Sequence, residues 1–87
     1  EDIQILFMEF AADAEVPEHA HAAQWGVVVA GRIDLVIGGV PRTFGPGDSY
    51  TIPAGVPHSA RIHAGYADVT CFAQRDRYRA RPPVQSD

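Results

Sequence analysis

"GDSYTIPAGVPH", residues 47–58, decides how this chain folds. Gly47 lies in a tight "GPGD" turn at 45–48, and "SYTIP" reads as a short strand. "PAGV" at 53–56 turns the chain again, and His58 opens a further strand, "HSARIH" at 58–63. Side chains alternate across a strand, so His58, Ala60 and Ile62 share one face and Ser59, Arg61 and His63 the other. Small Ala60 and apolar Ile62 suit an interior. His58 is therefore expected to point inward at a rim, His63 outward at the surface, and Arg61 outward with it.

An inward imidazole raises the question of partners. "PEHAHAAQWG", residues 17–26, carries His19 and His21 one residue apart, with Gln24 close behind. On an extended strand, positions i and i+2 lie on the same face, about 6 to 7 Å apart at the backbone. Two imidazoles so placed can converge on one ion at about 2.0–2.1 Å each. After a bend, Gln24 can add an oxygen. A strand HxH taken alone is more often a partly exposed polar face than a ligand pair; a third histidine from a distant stretch is what favours a closed site.

Working outward, the rest of the chain has the texture of an all-β protein. Eight glycines and seven prolines are spread as punctuation between short runs rich in Val, Ile, Phe and Tyr. Strands are expected at 3–10, 16–21, 24–30, 32–37, 40–44, 49–53, 58–63 and 66–74. In "RIDLVI" the alternation is clean, with Ile33, Leu35 and Ile37 on one face. Gly38-Gly39 signals a two-residue hairpin, because both positions tolerate positive φ. No window has a 3.6-residue period, so little or no helix is expected. About eight short antiparallel strands suggest a sandwich or barrel.

Bulk properties narrow the function classes. Eighty-seven residues make one domain, and a chain this short buries only roughly 60% of its unfolded surface, so a partner subunit would help. The net charge is −4. All seven basic residues are arginines, and Arg75, Arg77, Arg79 and Arg81 fall in the last thirteen positions. The acidic body argues against a nucleic-acid partner, which needs a basic face. The Arg- and Pro-rich stretch 76–87 reads as a solvated tail or an interface clasp beyond a domain at 1–75. Cys71 is the only cysteine, so no internal disulfide can form and a reducing, cytoplasmic location is the default. No stretch approaches the ~20 apolar residues of a membrane span, so no membrane partner is expected. "IQILFMEF" lacks the basic flank of a signal peptide. The chain starts at Glu1, not Met, and reads as trimmed or processed.

Both histidine stretches carry a resemblance. "HAHAAQWGVVVAG" resembles the first cupin motif, and "GDSYTIPAGVPH" the second, with Gly47, Pro53, Gly55 and His58 in the family's spacing. The resemblance spans about residues 3 to 75. It implies a small single-domain cupin, a jelly-roll-like double-stranded β-barrel. It also implies that His19, His21 and His58 are metal ligands, with a fourth ligand at or near Gln24. The sequence departs from the family in three ways. The usual glutamate is absent, Gln24 follows His21 one residue early, and Ile62 stands where an asparagine is common. The Gln24-to-Gly31 spacing does match.

The glutamine has a physical consequence. Three neutral imidazoles and a neutral amide leave the full +2 of a divalent ion unneutralised. Such a site should favour an anionic partner and hold its metal less tightly. The ligand types suit Zn, Fe, Ni, Mn or Cu and exclude none of them. Among other residues, Trp25 and Tyr50 are read as a pocket mouth or as packing, Met8 as core, Cys71 as a small buried hydrophobe, and Asp48 as a cap on its turn.

Three functions follow. The first is a metal-dependent enzyme, dioxygenase-like or Lewis-acid, on a small anionic or oxygen-rich molecule. A metal with open positions can polarise a carbonyl, hold an enolate or recruit dioxygen. Tyr50 is then the one plausible catalytic proton donor. The second is a non-catalytic module that binds or senses a small ligand. The third is a structural metal site. A homodimer is the default assembly, because the apolar opening strand needs cover.

Overall fold

The computed structural model describes residues 3–73. The Arg-rich tail and the boundary at residue 75 lie outside the described residues. Within them the chain forms eight strands and no helix: β1 (Gln4–Phe10), β2 (Ala14–His19), β3 (Gln24–Ala30), β4 (Ile33–Ile37), β5 (Val40–Phe44), β6 (Ser49–Ile52), β7 (His58–Ile62) and β8 (Tyr66–Phe72). The one element boundary that matters for the site differs from expectation. β2 begins two residues earlier than the sequence suggests and ends at His19, so His21 stands in the following connection and not on a strand.

The strands form two four-stranded antiparallel sheets, ordered β1-β8-β3-β6 and β2-β7-β4-β5. Their inner faces enclose a core of Val28, Ile33, Leu35, Tyr50, Ile52, Ile62 and Tyr66. Full burial of an aliphatic side chain of this size is worth about 1.5–3 kcal/mol. The alternation expected for β4 holds: Ile33 and Leu35 are buried, Ile37 is half-buried and Val36 is exposed. Gly38 and Gly39 both take positive φ, 55° and 82°, as a tight hairpin between β4 and β5 requires.

Gly31 closes the β3–β4 connection at φ 79°. A Cβ there would lie 2.6 Å from the Cα of Tyr66, so the two chain segments meet at a distance only glycine permits.

Asp48 does cap its turn, accepting a hydrogen bond from the Gly45 N–H at 2.9 Å. Outside the second sheet, Asp34 accepts hydrogen bonds from Thr43 at 2.8 Å and from His63 at 2.7 Å, with Arg32 alongside. His63 therefore faces outward as expected, although it is half-buried against its neighbour strand. The His63 hydrogen bond first, then that of Thr43, holds the Asp34 carboxyl down at about 2.

Two outcomes are expected. Gly31→Ala should lower stability by about 1–3 kcal/mol in denaturant unfolding; an unchanged midpoint would contradict the close approach. For Asp34, a depressed folded pKa gives stability that is present above the ordinary carboxylate value and lost as pH falls towards about 2. Melting temperature should thus drop more steeply between about pH 4 and 2 in the wild type than in Asp34→Asn. Equal slopes would contradict this.

Candidate metal centre

Three segments bring the histidines together. His19, at the end of β2, is the Cα partner of His58, at the start of β7. The ladder slips between Val16 and His19, which carries the strand end past its regular register. His21 is fixed differently. The turn after β6 places Gly55 at φ 77°, and its N–H donates to the His21 carbonyl at 2.9 Å. The turn of the second histidine stretch thereby holds the first.

The result is a triad. His19, His21 and His58 each offer a ligand nitrogen, and these atoms all lie within 4.8 Å of one another. Ring centroids are 4.2 Å apart for His19–His58, 4.7 Å for His21–His58 and 5.1 Å for His19–His21. Each Nδ1 donates to a nearby backbone carbonyl: His19 to Pro17 at 2.8 Å, His21 to Ala22 at 2.6 Å, and His58 to Val56 at 3.0 Å. A carbonyl only accepts, so each Nδ1 carries a hydrogen, and in its neutral form each ring has Nε2 as the free ligand atom. This is how metal-binding imidazoles are oriented.

The donor set fits a cation. The Nε2 atoms of His21 and His58 are 3.2 Å apart. Nitrogens that close can share something positive between them, a proton or a metal cation. Two ligands about 2.0–2.1 Å from one tetrahedral ion would stand about 3.3 Å from each other. The three histidines are therefore brought together, with His21 reaching the group from the connection after β2 instead of from a strand.

Gln24 and Tyr50 share the same cavity, which has a volume of about 300 Å³ and mostly apolar walls that include Ile52 and Phe72. The Gln24 amide Nε2 donates to the Tyr50 hydroxyl at 3.4 Å. Met8 is half-buried and also lines the cavity.

Trp25 does not line it. Trp25 lies on the outer face of its sheet, 46% exposed. Cys71 is its Cα partner there and is half-buried on the outer face, which corrects the reading of Cys71 as a small buried hydrophobe. The alternation of β8 puts Tyr66, Asp68, Thr70 and Phe72 inside, and Val69 and Cys71 outside.

Sequence reasoning missed Asp68. It is a buried carboxylate on the cavity wall. Three hydroxyls donate to it: Tyr50 at 3.0 Å, Thr70 at 2.8 Å and Tyr66. The signal was present in the spacing, because Tyr66 and Thr70 flank Asp68 at i−2 and i+2 on one strand face. Burial, then the Asp68 charge, pushes the Tyr50 phenol up to about 12. Burial and the hydrogen bond to Asp68 push Tyr66 up as well. Tyr50 thus keeps its proton at neutral pH and commits it to Asp68.

The cupin-domain family profile matches residues 6–72. The chain belongs to the cupin family. Among solved structures, this cupin is similar to an RmlC-like cupin from Shewanella frigidimarina, at 27% identity and TM-score 0.78, covering 87% of this chain and 69% of that one. It is similar to KdgF from Halomonas sp. at 25% identity and TM-score 0.73, covering 86% and 72%. It is also similar to the DMSP lyase DddQ from Ruegeria pomeroyi, at 26% identity and TM-score 0.64. There it covers 90% of its own length but only 40% of the lyase. No curated protein matches the chain. Among the described residues, no helix is long and apolar enough to cross a membrane.

A raised phenol pKa stabilises the folded state below the ordinary tyrosine value, and that stability is lost as pH rises towards about 12. Melting temperature should fall between about pH 10 and 12, and less steeply in Tyr50→Phe. Identical alkaline profiles would contradict the buried Tyr50–Asp68 contact.

Proposed function

We propose that this cupin binds one divalent transition metal ion (Zn, Fe, Ni, Mn or Cu) through His19, His21 and His58, with Gln24 as a fourth ligand. The bound ion serves dioxygenase-like or Lewis-acid chemistry on a small anionic or oxygen-rich molecule. The observation that carries the reading is the convergence of three backbone-anchored imidazoles on the wall of a cavity. When bound, a divalent ion supplies Lewis acidity, polarising a carbonyl or lowering the pKa of a water.

The chain's own residues set the limits on the substrate. A cavity of about 300 Å³ is at the small end of the range for ligand sites, ~300–1,000 Å³, so the molecule is small. The apolar walls exclude water and strengthen any charge interaction inside. The Asp68 carboxylate is capped by three hydroxyls and is not placed to act as a general base. Tyr50 gives its proton to Asp68, which suits it to binding and orientation better than to proton donation. Both points favour chemistry centred on the histidines over a dedicated acid–base isomerase.

A homodimer is part of the same proposal. Ile5, Phe7, Trp25 and Val69 all lie on the outer face of the β1-β8-β3-β6 sheet, with exposures of 62%, 58%, 46% and 36%. Covering that face with a second copy would remove apolar surface from water. We assign the protein to the cytoplasm on the ground of its single cysteine.

Elemental analysis of untagged protein, loaded with each metal in turn, tests the reading. About one equivalent should bind to the wild type and be lost in His58→Ala. Failure of every metal to bind would overturn it. No histidine belongs to the apolar core that holds the two sheets together, so chelation should leave the far-ultraviolet circular dichroism spectrum unchanged. Unfolding on chelation would favour a structural role for the metal.

A further inference from the structure

The inner face of the β1-β8-β3-β6 sheet contains a gap that a side chain from the next strand fills. Gly26 on β3 is the Cα partner of Tyr50 on β6 and of Thr70 on β8. The Tyr50 ring lies directly over it. A Cβ at Gly26 would stand 2.5 Å from the Tyr50 Cζ and 2.6 Å from its hydroxyl oxygen. Gly26 has no left-handed backbone to explain it; the space over its Cα is taken by the phenol. That seat puts the Tyr50 hydroxyl between Asp68 and Gln24, at 3.0 Å and 3.4 Å.

The order of donors in this chain is dictated by Asp68. Its carboxylate is buried, receives three hydroxyl hydrogens and can only accept. Tyr50 has a single hydrogen, and it goes to Asp68. The Tyr50 oxygen is left as an acceptor, so the group of Gln24 that faces it must be the amide NH₂. Were the amide reversed, its oxygen would face the Tyr50 oxygen with no hydrogen between them, because the one phenol hydrogen is held by Asp68. The Gln24 oxygen Oε1 is therefore turned away from Tyr50. Among the described residues it has no hydrogen-bonding partner.

We propose that Asp68 is a positioning residue that acts through Tyr50, in the slot left by Gly26, to turn the Gln24 amide oxygen into the cavity as an oxygen donor to a cation held by the three histidines. This rests on the metal-centre reading given above. It also accounts for the missing glutamate. The negative charge that a ligating carboxylate would bring is kept two hydrogen bonds back, at Asp68. There it polarises the amide through the phenol, since hydrogen bonds in a chain strengthen one another.

Cobalt(II) is the probe. Wild-type protein, Gln24→Ala, Tyr50→Phe and Asp68→Asn are titrated with Co²⁺, following the visible ligand-field bands, with circular dichroism to confirm folding. Tyr50→Phe and Asp68→Asn should each weaken Co²⁺ binding about 10- to 100-fold, as loss of an outer partner of a ligand does, and should shift the bands as Gln24→Ala does. In a Gln24→Ala background, Tyr50→Phe should add no further loss. Wild-type bands and affinity in folded Tyr50→Phe would overturn the proposal. So would a Tyr50→Phe effect that persists without Gln24. If Asp68→Asn does not fold, Tyr50→Phe and its pairing with Gln24→Ala decide alone.

A metal-free measurement separates this from failure of the metal reading. The Gln24 side-chain amide in the ¹⁵N–¹H spectrum should move in Tyr50→Phe, and its slow exchange with solvent should be lost. If wild type takes up no Co²⁺ while the amide responds in this way, the metal reading falls and the orientation of Gln24 stands. If the amide does not respond, the positioning role falls whatever the metal does.

Discussion

Each of the three imidazoles is anchored by the same contact, a hydrogen bond from Nδ1 to a backbone carbonyl one or two residues away. That contact fixes the tautomer, and with it the direction in which the unprotonated Nε2 points. The anchoring carbonyls belong to Pro17, Ala22 and Val56, in segments that the two histidine stretches supply. The barrel must then bring those segments together. It does so by pairing His19 with His58 across β2 and β7, and by tying the Gly55 N–H to the His21 carbonyl. The Nε2 atoms of His21 and His58 come to 3.2 Å of each other, and the backbone hydrogen bonds at each Nδ1 hold the rings there.

The opposite wall of the cavity carries another polar group under the same rule of full satisfaction. A buried carboxylate is strongly unfavourable unless its acceptor sites are filled. Asp68 meets the requirement with hydroxyls from Tyr50, Tyr66 and Thr70. The apolar core surrounds this cluster, so the polar and apolar parts of the interior depend on one another. Tyr50 belongs to both: its ring packs in the core over Gly26, and its hydroxyl links Asp68 to Gln24.

Much of this could be read in the sequence, for physical reasons that differ by residue. His58 was legible because Ala60 and Ile62 mark its strand face as inward, and the structure buries it. His19 and His21 were legible as a pair, yet a period of two assumes an unbroken strand, and β2 ends at His19. The convergence of His21 depends on a hydrogen bond to Gly55, which is far away in sequence and leaves no local trace. One face of β8 carries Tyr66, Asp68, Thr70 and Phe72; the other carries Ala67, Val69 and Cys71 and is the more apolar in composition. Alternation alone leaves open which of the two faces is inside. The structure turns Val69 and Cys71 outward, and the hydroxyl donors around Asp68 allow its burial. The exposed outer face, including Trp25, is the complement of that choice.

The central claim is that one ion sits on the Nε2 atoms of His19, His21 and His58. Anomalous diffraction from crystals of the cobalt-loaded protein, collected on both sides of the cobalt absorption edge, tests it most directly. The account predicts a single strong peak about 2.0–2.2 Å from all three Nε2 atoms. A peak at a surface site, or one that touches only some of these nitrogens, would contradict it.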